Sequence, residues 1–502
     1  MVEAGSTPEA SRAVRLAMAA TVAVAAVYLL LYLAIAGLRI GHPFELEWLE
    51  GSVAHAVQRI LDGEKIYVKP SIEFAPHAYT PLYFYVSAGI CKLTGLSLLP
   101  LRMISFAAIL GTFVLIGLFV RRETGSLRLG WIAAGLFAAT FRIGGAWFDV
   151  ARVDSLFLLL VLAALTVARF HPRRGVPAAA ALFFLATLTK QSALVVAVPV
   201  WAYLLLVDWR RGLRWGLVLA AALIGTSLLL DHLHDGWYLY YTVKMLGQHP
   251  TVPVPYWSHL LETLPVVCAL SLITLAVGAW RREREVLFHA LAALGMVGVS
   301  WSSIRHAGGY ANVLMPGYAY LAVLFGLGLG VSTRWLARTP GRGAASATMA
   351  LWALCLLQFW LLRYSPREQV PTRADREAGE AFVERLRGIE GEVYLPGHGY
   401  LADLAGKRSY AHENNLGDIF RGTDKALKRE LIEDVNAAMR ERRFAAIVLD
   451  NYFTFHPRHP MFRFTELREN YRQLPDSLFT DDDAFYPVTG GRVRPETLFV
   501  PR

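Results

Sequence analysis

Long apolar blocks separated by short polar stretches are the feature that most restricts how this chain can fold. Of its 502 residues, 55% are hydrophobic and only 18% are charged. A helix that crosses a bilayer needs roughly 17 to 25 mostly apolar residues, and most of these blocks approach that length. The sequence therefore predicts a mainly α, polytopic transmembrane bundle. The predicted spans are the eleven segments 13–38, 100–120, 129–147, 155–170, 176–189, 191–207, 216–231, 261–280, 286–303, 310–332 and 345–363.

Arginine clusters at the ends of these blocks predict the orientation. Five clusters of three arginines each flank an apolar block. Because cytoplasmic loops carry the excess of Lys and Arg, we expect all five, and the N-terminus, on the cytoplasmic side of the inner (plasma) membrane. The clusters are Arg121, Arg122 and Arg128; Arg169, Arg173 and Arg174; Arg210, Arg211 and Arg214; Arg281, Arg282 and Arg284; and Arg334, Arg338 and Arg342. The net charge of +10 therefore indicates membrane topology and disfavours nucleic acid as a partner.

The opposite side of the membrane then carries the remaining loops. These outer loops are 40–99, 148–154, 190–191, 232–260 and 304–309, with everything after residue 364. The apolar block 79–98 lies inside the first outer loop and would be a twelfth span. A full crossing there would invert every later cluster, so we expect an interfacial or re-entrant segment. Two short blocks meet at Lys190 and Gln191, which predicts a hairpin that brings both side chains to the outer face.

Composition changes after residue 364. Residues 365–502 combine stretches of helical periodicity with short apolar runs typical of strands. We therefore divide the chain into a membrane domain, 1–364, and a small extracytoplasmic α/β domain, 365–502. The polar residues of this second domain, among them His398 and Asp450, form no recognisable catalytic motif.

An acid-rich stretch follows the first predicted span and contains Glu45, Glu47 and Glu50. Glu47 and Glu50 are three residues apart, so a helix beginning here would place both on one face, beside the interfacial Trp48. Alternatively, these are solvated acids at the start of an interfacial helix, where negative charge complements the helix dipole. The other outer loops favour the first interpretation.

Together, the outer loops resemble one class of membrane enzymes. The matching stretches are Glu47–Gly51, Arg59–Tyr67, Tyr79–Tyr83, Arg152–Asp154, Thr189–Ser192 and Gly308–Asn312. Their order, and their shared side of the membrane, resemble the GT-C glycosyltransferases. That class includes the protein O-mannosyltransferases, the aminoarabinose transferase of lipid A and bacterial lipopolysaccharide-core transferases. The resemblance implies a polyprenyl-phosphate sugar donor and a glycan, lipid or protein acceptor outside the cytoplasm. The C-terminal domain is then expected to be a cap that shapes the acceptor entrance.

The resemblance also implies a carboxylate base in the first outer loop, where it would take the proton of the attacking hydroxyl. Many relatives have an Asp-Glu pair there, whereas this chain has Leu49-Glu50. The base is then either Glu50 or Glu47. Glu50 is slightly favoured because Glu50-Gly51 aligns with the acid-glycine of relatives.

Substrate-binding groups are expected in several outer loops, because the departing lipid phosphate needs positive or donor groups near the membrane surface. The candidates are Tyr79, Arg152, Asp154, Lys190, Gln191, Arg305, His306 and Asn312. Several have ordinary structural alternatives. Arg152 can pair with Asp154, Arg305 and His306 can anchor the interface, Asn312 can join helices, and Tyr79 can belong to an aromatic belt. Lys190 has no evident partner in the sequence, which favours an anion beside it.

No cofactor and no essential metal are expected. Glu47, Glu50 and Asp154 could offer oxygen ligands to a divalent cation, but the second outer loop lacks an acid-x-acid pair. The cysteines Cys91, Cys268 and Cys355 show no metal-ligand spacing.

Three other functional classes compete with a glycosyltransferase. A transporter or flippase would have repeats with matched broken helices, which this sequence lacks. A lipid-linked oligosaccharide polymerase or ligase would have a large outer loop between late spans instead of an acid-rich first loop. A membrane scaffold would not need Glu47, Arg152, Asp154 and Lys190 together on one side.

Overall fold

A computed structural model describes residues 8–171, 175–339, 342–450, 463–474, 478–479 and 483–502. Arg173 and Arg174 of the second arginine cluster lie outside these residues, as does the side chain of Arg342. The first helices are α1 (Pro8–Arg39), α2 (Glu50–Leu61), α3 (Leu82–Thr94), α4 (Leu98–Thr124), α5 (Leu127–Ala139), α6 (Asp154–Phe170), α7 (Val176–Thr189), α8 (Ala193–Val207) and α9 (Trp209–Leu233). They are followed by α10 (Trp237–Leu239) with the π-helical turn Tyr240–Met245, α11 (Tyr256–Thr263), α12 (Pro265–Trp280), α13 (Arg284–Ile304), α14 (Met315–Arg338) and α15 (Arg342–Leu361).

The mainly helical membrane fold is confirmed, and every predicted span overlaps a helix. Among the described residues, six helices are long and apolar enough to cross a membrane, namely α1, α4, α9, α13, α14 and α15. A seventh crossing results if α11 and α12, which meet at 99°, form one bent span. The count is below the predicted eleven partly because α5, α7 and α8 have only 13, 14 and 15 residues. Such helices extend about 20 to 22 Å, against a hydrocarbon core of roughly 30 Å.

The apolar block 79–98 does not form one long helix. It contains α3, which has 13 residues and ends before Gly95. Gly95 has a φ of 82°, a conformation that costs glycine little, and the chain turns there into α4. Apolar side chains of α3, such as Tyr85 and Leu93, are exposed on its outer face.

Small residues let the central helices approach closely. A Cβ atom on Gly130 of α5 would lie 2.4 Å from the carbonyl oxygen of Gly117 in α4. One on Gly135 would lie 2.5 Å from the Cβ atom of Ala25 in α1. Side chains larger than hydrogen are therefore excluded from these crossings, as is common where transmembrane helices pack tightly.

A buried ion pair fixes the C-terminal end of α1. The Arg39 guanidinium donates to both carboxylate oxygens of Asp149, at 2.8 and 2.6 Å, and also to the Ala146 carbonyl at 2.7 Å. Both side chains are completely buried. Since a buried charge is tolerated only when it is paired and hydrogen-bonded, this contact ties the end of α1 to the loop that precedes α6.

The C-terminal region contains a four-stranded sheet with helices around it. The helices are α16 (Arg373–Arg387), α17 (Gly399–Leu404), α18 (Glu413–Arg421), α19 (Lys425–Arg440) and α20 (Glu466–Asn470). The strands are β1 (Glu392–Tyr394), β2 (Phe444–Asp450), β3 (Tyr471–Gln473) and β4 (Pro495–Pro501), in the order β1-β2-β4-β3. β1 and β2 are parallel, whereas β4 is antiparallel to both of its neighbours.

The C-terminal region packs directly on the first outer loop. The Ala411 amide donates to the Ile72 carbonyl at 2.8 Å, and the Asp434 carboxylate accepts from the Ile72 amide at 2.7 Å. Asn415 donates to the Ala75 carbonyl at 2.8 Å. Apolar residues of both regions form one continuous buried cluster. The first outer loop and the C-terminal region therefore lie on the same side of the membrane.

We expect the C-terminal region to face away from the cytoplasm, because the arginine clusters lie at the other ends of the helices. In intact cells, a membrane-impermeant maleimide should label Ala426→Cys, on the exposed surface of α19, but not Glu283→Cys, between α12 and α13. The three native cysteines are buried and should give little background. Labelling of Ala426→Cys only from the cytoplasmic side would contradict the orientation.

Candidate active site

The acid-rich stretch folds into a turn that is stabilised by hydrogen bonds from its backbone amides to two of its own carboxylates. Glu45 accepts from the Gly51 amide at 2.8 Å, and Glu50 accepts from the Leu46 amide at 2.7 Å. Leu49, the N-cap of α2, has no polar side chain, so Glu45 instead accepts from the Gly51 amide in the first turn of the helix. A Cβ atom on Gly51 would lie 2.3 Å from a Glu45 carboxylate oxygen, so only glycine fits there. Glu47 occupies the middle of this locked turn.

Glu50, the residue slightly favoured as the base from sequence, is fully engaged. Arg102 of α4 donates to its two oxygens at 2.9 and 2.6 Å, and the Ala151 amide donates at 2.7 Å. Both side chains of this ion pair are completely buried. Burial alone would raise the pKa of Glu50, but the Arg102 guanidinium and the amide donors lower it below its ordinary value. This environment is typical of a structural carboxylate and leaves no acceptor for a substrate proton.

Glu47 has the opposite environment. It is also completely buried, but neither of its oxygens has a hydrogen-bond partner among the described residues. The nearest cation is Arg152, whose Nη1 lies 3.9 Å from Oε2 of Glu47. Burial raises the pKa of Glu47 to about 8, because desolvation outweighs the attraction of the Arg152 guanidinium. A carboxyl group with such a pKa can gain and lose a proton near neutral pH.

Tyr79 links Arg152 to a second charged pair. Its hydroxyl accepts from Nη2 of Arg152 at 3.3 Å, and Nζ of Lys190 lies 5.6 Å from its ring centre. Lys190 donates to Asp154 at 2.7 Å, so it has the partner that was not evident in the sequence. Asp154 therefore forms its ion pair with Lys190, whereas the sequence had offered Arg152 as its partner. Asn312 lines the same small cavity, about 10 Å³, as Asp154 and Lys190.

Arg152 retains unused donors. Its Nε and Nη1 atoms are buried and lack hydrogen-bond partners within the described part of the chain. Buried guanidinium donors are costly to leave unsatisfied, so this position favours an anion when one is available.

The remaining three candidates from the sequence, Gln191, Arg305 and His306, form no hydrogen bond or ion pair with Glu47 in the described part of the chain. Gln191 donates to the carbonyls of Ala78 and Thr242, at 2.8 and 3.3 Å, and so joins the first outer loop to the π-helical turn. Arg305 lies over the Trp301 ring at 4.9 Å, and His306 lies 3.4 Å from the Leu246 carbonyl. Within the described residues, neither Arg305 nor His306 forms a hydrogen bond or ion pair with Glu47, Arg152, Asp154 or Lys190. Their contacts fit the alternative of anchors at the interface.

A C-terminal segment covers Glu47. The Thr489 amide donates to the Leu46 carbonyl at 3.1 Å, and Thr489 forms an isolated parallel bridge with Glu47. Gly490 has a φ of 81°, and a Cβ atom there would lie 2.8 Å from the Trp48 ring. The close approach and the backbone conformation both require glycine.

Two residues that shape this site, Arg102 and His398, were not predicted as site residues from the sequence. Arg102 is a charged residue within an otherwise apolar span, and such a residue can be recognised as a functional or structural pairing site. His398 contacts Glu45 at 2.7 Å from a region 353 residues away, and nothing in its local sequence indicated this. Among the described residues, no group of three or more His, Cys, Asp or Glu side chains has an arrangement that could hold a metal ion. The expectation of no essential metal stays a prediction.

Comparisons with known proteins agree with this architecture. Residues 76–234 match the family described as dolichyl-phosphate-mannose-protein mannosyltransferase. The apo structure of ArnT from Cupriavidus metallidurans is 14% identical, with 95% of this chain and 97% of that chain covered and a TM-score of 0.59. The structure of the same protein bound to undecaprenyl phosphate has the same identity and coverage and a TM-score of 0.56.

A third similar structure is archaeal. The oligosaccharyltransferase AglB from Archaeoglobus fulgidus, in complex with an inhibitory peptide and a dolichol-phosphate, is 12% identical, with 88% of this chain and 71% of that chain covered and a TM-score of 0.50. No curated protein matches the chain in sequence. The family match in the membrane region and the shared fold over most of the chain agree with each other. The chain therefore shares the membrane fold of these glycosyltransferase structures over most of its length, and its residues 76–234 match the mannosyltransferase family.

Proposed function

We propose that this protein transfers a sugar from a polyprenyl-phosphate donor to a glycan, lipid or protein acceptor outside the cytoplasm, with Glu47 as the general base. The observation that carries the proposal is the contrast between two buried carboxylates. Glu50 has all its acceptors engaged, whereas Glu47 has an unused, proton-accepting carboxylate beside Arg152. The lipid phosphates bound to ArnT and AglB support a donor of this chemical class.

The reaction requires one proton acceptor and one site for a leaving anion. The acceptor hydroxyl attacks the anomeric carbon, Glu47 takes its proton, and the bond from that carbon to the phosphate oxygen breaks. Polyprenyl phosphate leaves with the electron pair. Arg152, with its unused donors, and Lys190 are the cations that stabilise the departing phosphate.

Two features of the site complete this mechanism. Tyr79 holds Arg152 and Lys190 in position between the base and the phosphate. Because Thr489 and Gly490 cover Glu47, the acceptor reaches the carboxylate only after this segment moves aside. A polymerase or ligase would use the same groups on a lipid-linked oligosaccharide, so the length of the donor glycan distinguishes the two activities.

Replacement of the proposed base should abolish transfer without unfolding the protein. General-base catalysis contributes roughly 10²- to 10⁴-fold, so Glu47→Gln should lower kcat by that factor. Glu50→Gln removes one partner of a buried ion pair and should lower stability by about 3 to 5 kcal/mol. The measurements are consumption of a panel of undecaprenyl-phosphate sugars, with monosaccharide and oligosaccharide members, and thermal unfolding. A folded but inactive Glu50→Gln protein beside an active Glu47→Gln protein would move the base to Glu50.

The raised pKa of Glu47 predicts how activity depends on pH. The base must be deprotonated to accept a proton, so kcat/KM should rise about tenfold per pH unit and level off above a pH of about 8. Glu47→Gln should remove this rise from whatever activity it retains. An identical profile in the variant would assign the titration to another group.

The Lys190–Asp154 pair provides a matched test of phosphate binding. Lys190→Ala and Asp154→Ala both break the same ion pair, but only the first removes a cation. Binding of undecaprenyl phosphate should weaken about 10- to 100-fold in Lys190→Ala, the range of one charge-assisted hydrogen bond, and not in Asp154→Ala. Equal weakening in both variants would mean that the pair acts only on folding.

A further inference from the structure

The turn that presents Glu47 is held from two sides. On the membrane side, Arg102 binds Glu50. On the outer side, Nδ1 of His398 donates to Oε2 of Glu45 at 2.7 Å, while Oε1 of Glu45 accepts from the Gly51 amide. Glu45 and Glu50 thus close the same turn at both ends, and each has a cationic partner from a distant part of the chain.

His398 is itself fixed by the C-terminal sheet. It lies between β1 and α17, and its Nε2 atom is 3.3 Å from Asp450 at the end of β2. Because β1 and β2 are parallel, both residues lie at the same edge of the sheet. The imidazole therefore bridges this edge and the first outer loop.

Two carboxylates lie close to the ring nitrogens of His398. Burial alone would lower the pKa of His398, but the carboxylates of Asp450 and Glu45 raise it well above its usual range. Both ring nitrogens then carry protons near neutral pH, so His398 can donate toward both carboxylates at once. A charge-assisted hydrogen bond of this kind is roughly twice as strong as a neutral one.

We propose that His398 is a positioning residue for Glu47: its bond to Glu45 fixes the turn Glu45–Gly51 in the conformation that carries the base. The inference rests on the proposed role of Glu47. It assigns the C-terminal region a part in catalysis that goes beyond covering the site, because one of its side chains determines the geometry of the catalytic loop.

Two isosteric substitutions separate the two contacts of His398. In His398→Asn, the amide nitrogen replaces Nδ1 and keeps a donor for Glu45. In His398→Gln, it replaces Nε2 and keeps a donor for Asp450. Alanine is unsuitable because a cavity of about 20 Å³ already adjoins Glu45 and His398, and further space would admit competing water.

The experiment uses the full-length purified protein and has two readouts. Consumption of the undecaprenyl-phosphate sugar panel gives kcat and KM. Hydrogen–deuterium exchange of the peptide covering Glu45–Gly51 reports the turn without any need for turnover. We expect His398→Asn to retain most of the protection and activity, because its amide still donates to Glu45. In His398→Gln, kcat should fall and exchange should accelerate by about 10- to 100-fold each, with KM for the donor unchanged.

The other outcomes would overturn the inference. Wild-type exchange in both variants would show that His398 does not hold the turn. Equal loss of protection in both would indicate a packing role, and selective loss in His398→Asn would assign the effect to Asp450. If the wild-type protein consumes no donor of the panel, the proposed function fails, and the exchange measurement alone still decides whether His398 holds the turn.

Discussion

The buried ion pair between Arg102 and Glu50 is the contact on which the rest of the site depends. Removing a guanidinium and a carboxylate from water costs several kcal/mol for each ion, and only complete hydrogen bonding offsets this cost. Arg102 meets that condition by donating to Glu50 and to the carbonyls of His42 and Phe44. The first turn of α4 is thereby fixed to the chain on either side of Glu47. Such a pair contributes little net stability, but it restricts the turn around Glu47 to one conformation.

The acid-rich stretch shows how burial divides equivalent side chains into different roles. Glu45, Glu47 and Glu50 are all buried, yet two of them have cationic partners and amide donors, and the third has neither in hydrogen-bonding range. At Glu47 desolvation outweighs the attraction of the Arg152 guanidinium, and its pKa rises to about 8. The same desolvation is cancelled at Glu50 by Arg102. A carboxyl group that can exchange a proton near neutral pH results because no guanidinium is hydrogen-bonded to Glu47.

The C-terminal region belongs to this site as much as to its own sheet. Its residues share a buried apolar cluster with the first outer loop, Thr489 and Gly490 cover Glu47, and His398 binds Glu45. A cap over an acceptor entrance, the expected role, accounts only for the covering segment. The bridges to Leu46, Ile72 and Ala75 fasten the region to the loop itself, so the two are expected to unfold together.

The sequence by itself determined the helical membrane architecture and the set of polar residues from which the candidate site is built. These features are written locally, in the length of apolar blocks and the order of short motifs, and each can be recognised within a few dozen residues. Tertiary structure alone decided what each polar residue does. Glu50 is structural because it binds Arg102, which is 52 residues further along the chain. Glu45 binds His398, which is 353 residues away. Lys190 is paired with Asp154 at the start of α6, 36 residues earlier in the chain. Desolvation and ion pairing depend on distance in space, and no spacing along the chain predicts which of three neighbouring carboxylates remains without a partner.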